Sequence, residues 1–196
     1  MPIQHAASAA PSKIGDGCRG HELFHRWPTA LGVGVAALLL VTGAASRDTL
    51  AIGATAAAWC YLSAAATGRR WVGWAAIPTS AVIVVVSELL GGAWWTGLGV
   101  TGLALAAIGL RRPAGRAILL AQAAAFTGIC AVAVIALTWD AWAGLVLAGL
   151  LLASHAVWDA VHYRRRLVVS RSLAEACLSL DLLLGLGLIA LAAITA

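Results

Sequence analysis

The sequence predicts an all-α, polytopic membrane protein of seven transmembrane helices, with the N-terminus cytoplasmic and the C-terminus outside. Seven apolar stretches alternate with short breaks, and each is near the roughly 20 residues a helix needs to cross a bilayer. Twelve of the 13 Lys and Arg residues precede the first stretch or fall at every second break; inserted proteins keep this excess in cytoplasmic loops. Tryptophans gather at the expected interfaces: Trp27, Trp71 and Trp74 at inner ends, Trp94, Trp95, Trp139 and Trp142 at outer ends. This is the belt that amphipathic rings form at headgroup level. Trp59 and Trp158 are exceptions within spans.

Composition excludes a soluble domain. The chain has 196 residues, 62% hydrophobic and 11% charged, with a mean hydropathy of +0.92. Soluble domains carry about a quarter charged residues; a chain this poor in charge cannot clothe a water-facing surface. Seven spans need about 140 residues, which leaves a tail over 1–27 and a transmembrane domain over 28–196. The expected location is the cell (inner or plasma) membrane, multi-pass. The net charge of +5 is dispersed as loop anchors, so nucleic acid is not an expected partner. Membrane lipids are, together with a membrane-protein partner or further copies of the chain.

Residues 1–20 lack periodicity and read as a disordered tail, and 21–27 as an interfacial turn. The expected spans are 28–46, 49–68, 71–89, 92–110, 116–138, 141–163 and 172–195. Helices are the one option, because the stretches are continuously apolar without barrel alternation. Ser46-Arg47-Asp48 joins the first pair and carries Arg47, the one basic residue on the far side. Gly43-Ala44-Ala45 also fits a signal-peptide cleavage site, an alternative for the first span. Pro78 should kink the third span. Gly91-Gly92 ends it after Glu88, and Trp139-Asp140 joins the fifth and sixth. Such tight loops predict sequential antiparallel neighbours. Gly97, Gly99 and Gly102 on the fourth span, Gly144 and Ala148 on the sixth, and Gly185 and Gly187 on the seventh would let backbones approach closely. Cys18, Cys60, Cys130 and Cys177 are too scattered for a disulfide framework or a zinc knuckle.

Embedded polar residues concentrate in the last two spans. His155, Asp159 and His162 are offset by four and three, so they share one helical face. That face continues into Leu151, Ala148 and Gly144 and should point into the bundle. At about 1.5 Å per residue from Arg164, His162 lies about 3 Å deep, Asp159 about 7.5 Å and His155 about 13 Å. Counted from Arg171, Glu175 lies about 6 Å deep and Asp181 about 15 Å. Asp159 thus matches Glu175, and His155 matches Asp181. A lone carboxylate at the depth of Asp181 is costly to charge, and a partner such as His155 would allow it to ionise. The pair is the leading candidate site, with Asp159 beside it and His162 and Glu175 as weaker members.

Each of these residues has a structural alternative. Ser172-Leu173-Ala174-Glu175 fits a capping box, and Glu175 sits roughly 120° around the helix from Asp181, which sets it apart from a shared cluster. His162 could be an interfacial histidine, and His155 and Asp159 a satisfied pair. Tyr61, in Trp59-Cys60-Tyr61, needs a hydrogen-bond partner inside the second span. A separate signal is His21-Glu22-Leu23-Phe24-His25. In zinc hydrolases, His-Glu-x-x-His places two imidazoles on one helical face with the glutamate as general base. It suggests zinc at His21, Glu22 and His25. His155 and Asp159, four apart, could also grip one ion, but His162 lies about 10 Å along the axis from His155, so these three would need help from another helix to share it. No other cofactor is indicated.

From His155 to Gly185 the chain reads His-x-x-Trp-Asp-x-x-His, then Arg-Ser-x-Ala-Glu-x-Cys-x-x-x-Asp. This stretch resembles uncharacterised small integral membrane proteins of bacteria, a resemblance that implies no activity. Three function classes follow: a membrane scaffold or subunit, suggested by how few polar residues the spans carry; a transporter or lipid-modifying enzyme using the polar site of the last two spans; and a zinc-dependent membrane hydrolase built on residues 21–25.

Overall fold

The structure is a computed structural model that describes residues 26–112 and 115–195. The tail and His21, Glu22 and His25 lie outside the described residues. Among the described residues seven helices follow one another: α1 (Trp27–Val41), α2 (Arg47–Thr67), α3 (Val72–Leu89), α4 (Trp94–Leu110), α5 (Arg116–Thr138), α6 (Ala141–Arg165) and α7 (Arg171–Thr195). Among the described residues there is no strand. Five helices, α2, α3, α5, α6 and α7, are long and apolar enough to cross a membrane. The 15 residues of α1 and 17 of α4 give rods of about 22 and 25 Å, shorter than the roughly 30 Å hydrocarbon layer.

The first span corrects the sequence reading. The helix stops at Val41, not at residue 46. Thr42 Oγ1 donates to Leu38 O at 2.7 Å, Gly43 turns left-handed at φ +70°, and the Ala45 N–H returns to Leu39 O. Nor are Arg47 and Asp48 a loop: they open α2, whose N-cap is Ser46, accepting from the Thr49 N–H at 3.1 Å. Ser46 satisfies an amide that the helix start leaves free, and Asp48 suits the positive end of the helix dipole. The connection 42–46 is short, yet α1 packs chiefly against α7 and not against α2. Gly32 explains this: a Cβ there would strike Ala176 O and Ser179 Oγ of α7, so glycine permits a backbone approach that no side chain would.

The centre of the bundle is α2. It packs against α3, α4, α5 and α6 and touches α7. Ala51, Ala54, Ala58, Ala64 and Ala66 are buried, and small side chains let several neighbours close around one axis. The hydroxyls of buried Thr55 and Ser63 and half-buried Thr67 bond back to carbonyls of their own helix, so none loses its hydrogen bond. Gly68 ends α2 in the left-handed region at φ +65°, with the Arg112 guanidinium against it and donating to Thr67 O. That bond joins the α2–α3 and α4–α5 turns at one end of the bundle. At the opposite end Arg47 donates to Trp139 O at 3.1 Å. Asp140 caps α6 there, accepting from the amides of Trp142 and Ala143. Where α6 meets α7, a Cβ on Gly185 would collide with Gly149 O and one on Gly149 with Gly185 O, so the two backbones touch. This approach fixes how closely the polar faces of α6 and α7 meet.

Candidate functional site

One buried polar cluster joins α2, α6 and α7. His155 Nδ1 lies 3.0 Å from Asp181 Oδ2 on α7 and 3.4 Å from Asp159 Oδ2 one turn along α6. Tyr61 Oη on α2 donates to Asp159 Oδ1 at 2.5 Å. Tyr61 and Asp159 are fully buried, and His155 and Asp181 are each 2% exposed. Asp159 Oδ2 and His155 Nε2 are buried without a hydrogen-bond partner. Between the arginines, at positions 48–68, 141–163 and 172–195, the three helices carry no Lys or Arg. The carboxylates therefore meet no fixed positive charge, and His155 is the one group among these side chains that can carry one.

The cluster extends toward the arginine-bearing end. The Tyr61 ring stands edge-on to both His155 and His162, at centroid distances of 5.6 and 4.7 Å. His162 Nδ1 lies 2.8 Å from Trp158 O, and Nε2 lies 3.3 Å from Gln122 Nε2 on α5. A carbonyl can only accept, so the His162 proton sits on Nδ1 and Nε2 receives the Gln122 amide. Gln122 Oε1 in turn accepts from Trp158 Nε1 at 3.1 Å. Gln122, His162, Tyr61, Asp159, His155 and Asp181 thus form a buried polar file. Val169, Leu173 and Ala174 pack against Tyr61 on the arginine side. On the other side Leu50, Ala54, Leu152 and Leu184 close the file with apolar packing as well.

The depth count placed His155 opposite Asp181, and those two side chains meet. It also placed Asp159 opposite Glu175, and those do not. Glu175 Oε1 accepts from Thr29 Oγ1 of α1 at 2.5 Å, on the face of α7 turned away from α6. The capping-box reading is also corrected: the cap is Ser170, two residues before Ser172, and its Oγ accepts the Leu173 N–H at 3.3 Å. Ser172 Oγ instead receives the Trp74 indole N–H at 3.2 Å. Sequence reasoning overlooked Gln122. It is the one amide side chain in α5, about 9 Å along from Arg116, near the depth of Asp159; counting amides beside charged groups would have found it. Cys60, Cys130 and Cys177 are free thiols, and Cys60 and Cys177 lie within electrostatic reach of Asp159 and Asp181.

A separate apolar groove of 730 Å³ runs between α4 and α5, lined by Gly99, Gly102, Leu103, Phe126 and Cys130 among others. It shares no residue with the polar file.

Chemically, the cluster can exchange a proton or hold a cation. Two carboxylates and one imidazole share a site without a fixed counter-charge, and ionisable groups inside a bundle mark sites or pathways. No protein-family model matches the chain, and no curated protein or solved structure matches it.

Proposed function

We propose that this chain is a multi-pass integral protein of the cell membrane, its arginine-bearing turns cytoplasmic, whose function resides in a cation-exchanging polar site between α2, α6 and α7. A proton is the simplest such cation, and the site suits a proton-coupled transporter or a lipid-modifying enzyme. The observation that carries this reading is the meeting of His155, Asp159 and Asp181 with no Lys or Arg among them. An embedded carboxylate costs about 2.5–3.5 kcal/mol at a helix centre even by the mildest scale. Two side by side are a poor way merely to hold helices together. Apolar packing on both sides of the file argues against an open channel. Integral placement is supported by the five long apolar helices and the segregated arginines.

The experiment is complementation of a deletion strain with Asp181→Asn and His155→Ala, with abundance in purified membranes measured alongside. Lost complementation at unchanged abundance is expected. A second reading, a scaffold or subunit in which the cluster is a polar staple, draws on the mutual satisfaction of Tyr61 with Asp159 and His155 with Asp181. Equal loss of abundance and complementation would favour the staple and refute the exchange site. The zinc-hydrolase reading rests on residues 21–25 alone.

A further inference from the structure

We infer that His155, Asp159 and Asp181 bind one divalent transition-metal cation of the zinc class. This deepens the reading of the same site, and rests on it only in taking these side chains as inward-facing and functional.

Geometry comes first. One ligand atom from each residue lies within 4.8 Å of the other two. Zinc bonds of about 2.0–2.2 Å in a tetrahedral shell place neighbouring ligand atoms roughly 3.3–3.6 Å apart. The edges from His155 Nδ1, at 3.0 and 3.4 Å, are already near that length. A modest rotation of one carboxyl closes the third. Asp159 Oδ2 is the telling atom: it is buried, has no hydrogen bond and is turned toward His155 Nδ1.

Charge points the same way. Two carboxylates and a neutral imidazole sum to minus two, which one divalent cation cancels. Tyr61 holds Asp159 by Oδ1 and leaves Oδ2 free, the outer-shell arrangement that orients metal-binding carboxylates. Three protein ligands leave a fourth position open, as reactive zinc sites do. Magnesium and calcium want six or more oxygens, which this packed, nitrogen-containing pocket does not offer.

The test is metal binding by the full chain, purified in detergent, stripped with chelator and titrated with Co²⁺, whose visible absorption reports the ligand shell, with Zn²⁺ as competitor. Saturation at one ion per chain, displaced by Zn²⁺ and not by Mg²⁺, is expected. Asp181→Asn and Asp159→Asn should each weaken binding about tenfold or more, and Tyr61→Phe should weaken it by about 10- to 100-fold while the stoichiometry stays. The double variant His21→Ala/His25→Ala should bind like the parent. Thermal unfolding of metal-free samples identifies any variant that fails to fold, and the remaining aspartate variant then decides. Absence of a Co²⁺ spectrum overturns the inference. So does binding that survives both aspartate substitutions, or that vanishes in His21→Ala/His25→Ala. Lost complementation by Asp181→Asn without metal binding would sink the metal alone and leave the proton reading standing. Metal binding with intact complementation would do the reverse.

Discussion

Replacing Tyr61 by Phe deletes one hydroxyl and leaves the ring in place. That hydroxyl reaches Asp159 Oδ1 at 2.5 Å, and both residues are fully buried. Asp159 Oδ2 has no hydrogen bond of its own, so the variant leaves this carboxyl with only the 3.4 Å approach of His155. A buried polar group stripped of its partner costs about 1–3 kcal/mol. Interhelical hydrogen bonds in lipid average about 0.6 and reach about 1.7 kcal/mol, because the separated helices find other partners. Tyr61→Phe should therefore destabilise the bundle by about 1–2 kcal/mol, a five- to thirtyfold shift in the unfolding equilibrium. Asp159→Ala removes the other partner. The double variant should lose less than the sum of the two, by about 0.5–2 kcal/mol. Reversible unfolding in mixed micelles, followed by circular dichroism in chelator-containing buffer, measures all four corners of the cycle. Additivity within about 0.3 kcal/mol would show that the hydroxyl and the carboxyl do not engage, and the α2 side of the site would be wrong.

Two further outcomes follow from close packing and capping. Gly185→Ala and Gly149→Ala place a Cβ against backbone atoms of the facing helix and should each cost about 1–3 kcal/mol in the same unfolding assay. Gly99→Ala and Gly128→Ala, where a Cβ meets nothing within 4 Å, should stay within about 0.5 kcal/mol; equal effects in both pairs would refute the α6–α7 contact. Asp140→Ala removes the acceptor for the Trp142 and Ala143 amides and should lower stability by about 1 kcal/mol, with Asp140→Asn or Asp140→Ser restoring most of it.

The sequence shows the helices well because lipid imposes a coarse rule: apolar runs of fixed length, with arginine and tryptophan marking their ends. The ends of α2, α5 and α6 lie within a few residues of that reading. The end of α1 was hidden because Thr42, Gly43 and the alanines after it are as compatible with a helix as with a turn in hydropathy alone. Position along the axis was also legible, and depth counting therefore set His155 against Asp181. Rotation within one helix was legible too, since Glu175 sits roughly 120° around from Asp181. Which neighbour that face meets was not: it is α1, where Thr29 Oγ1 donates to Glu175. The partner of Tyr61 could be anticipated as a need but not as Asp159, since α2 lies far from α6 in the chain and loop length says nothing about which helix takes the centre. Short loops even pointed the wrong way for α1, whose neighbour is set by Gly32 and the surface of α7.

The account rests on these helices lying in lipid with successive turns on opposite faces, because every depth and every claim about buried charge follows from it. Single cysteines at Arg69, Arg112 and Arg166, and at Gly91 and Asp140, in a chain otherwise free of cysteine, can be labelled in intact cells and inverted vesicles with a membrane-impermeant thiol reagent. The first three should react only in inverted vesicles and the other two only in intact cells. Labelling of both groups from the same face would contradict the account.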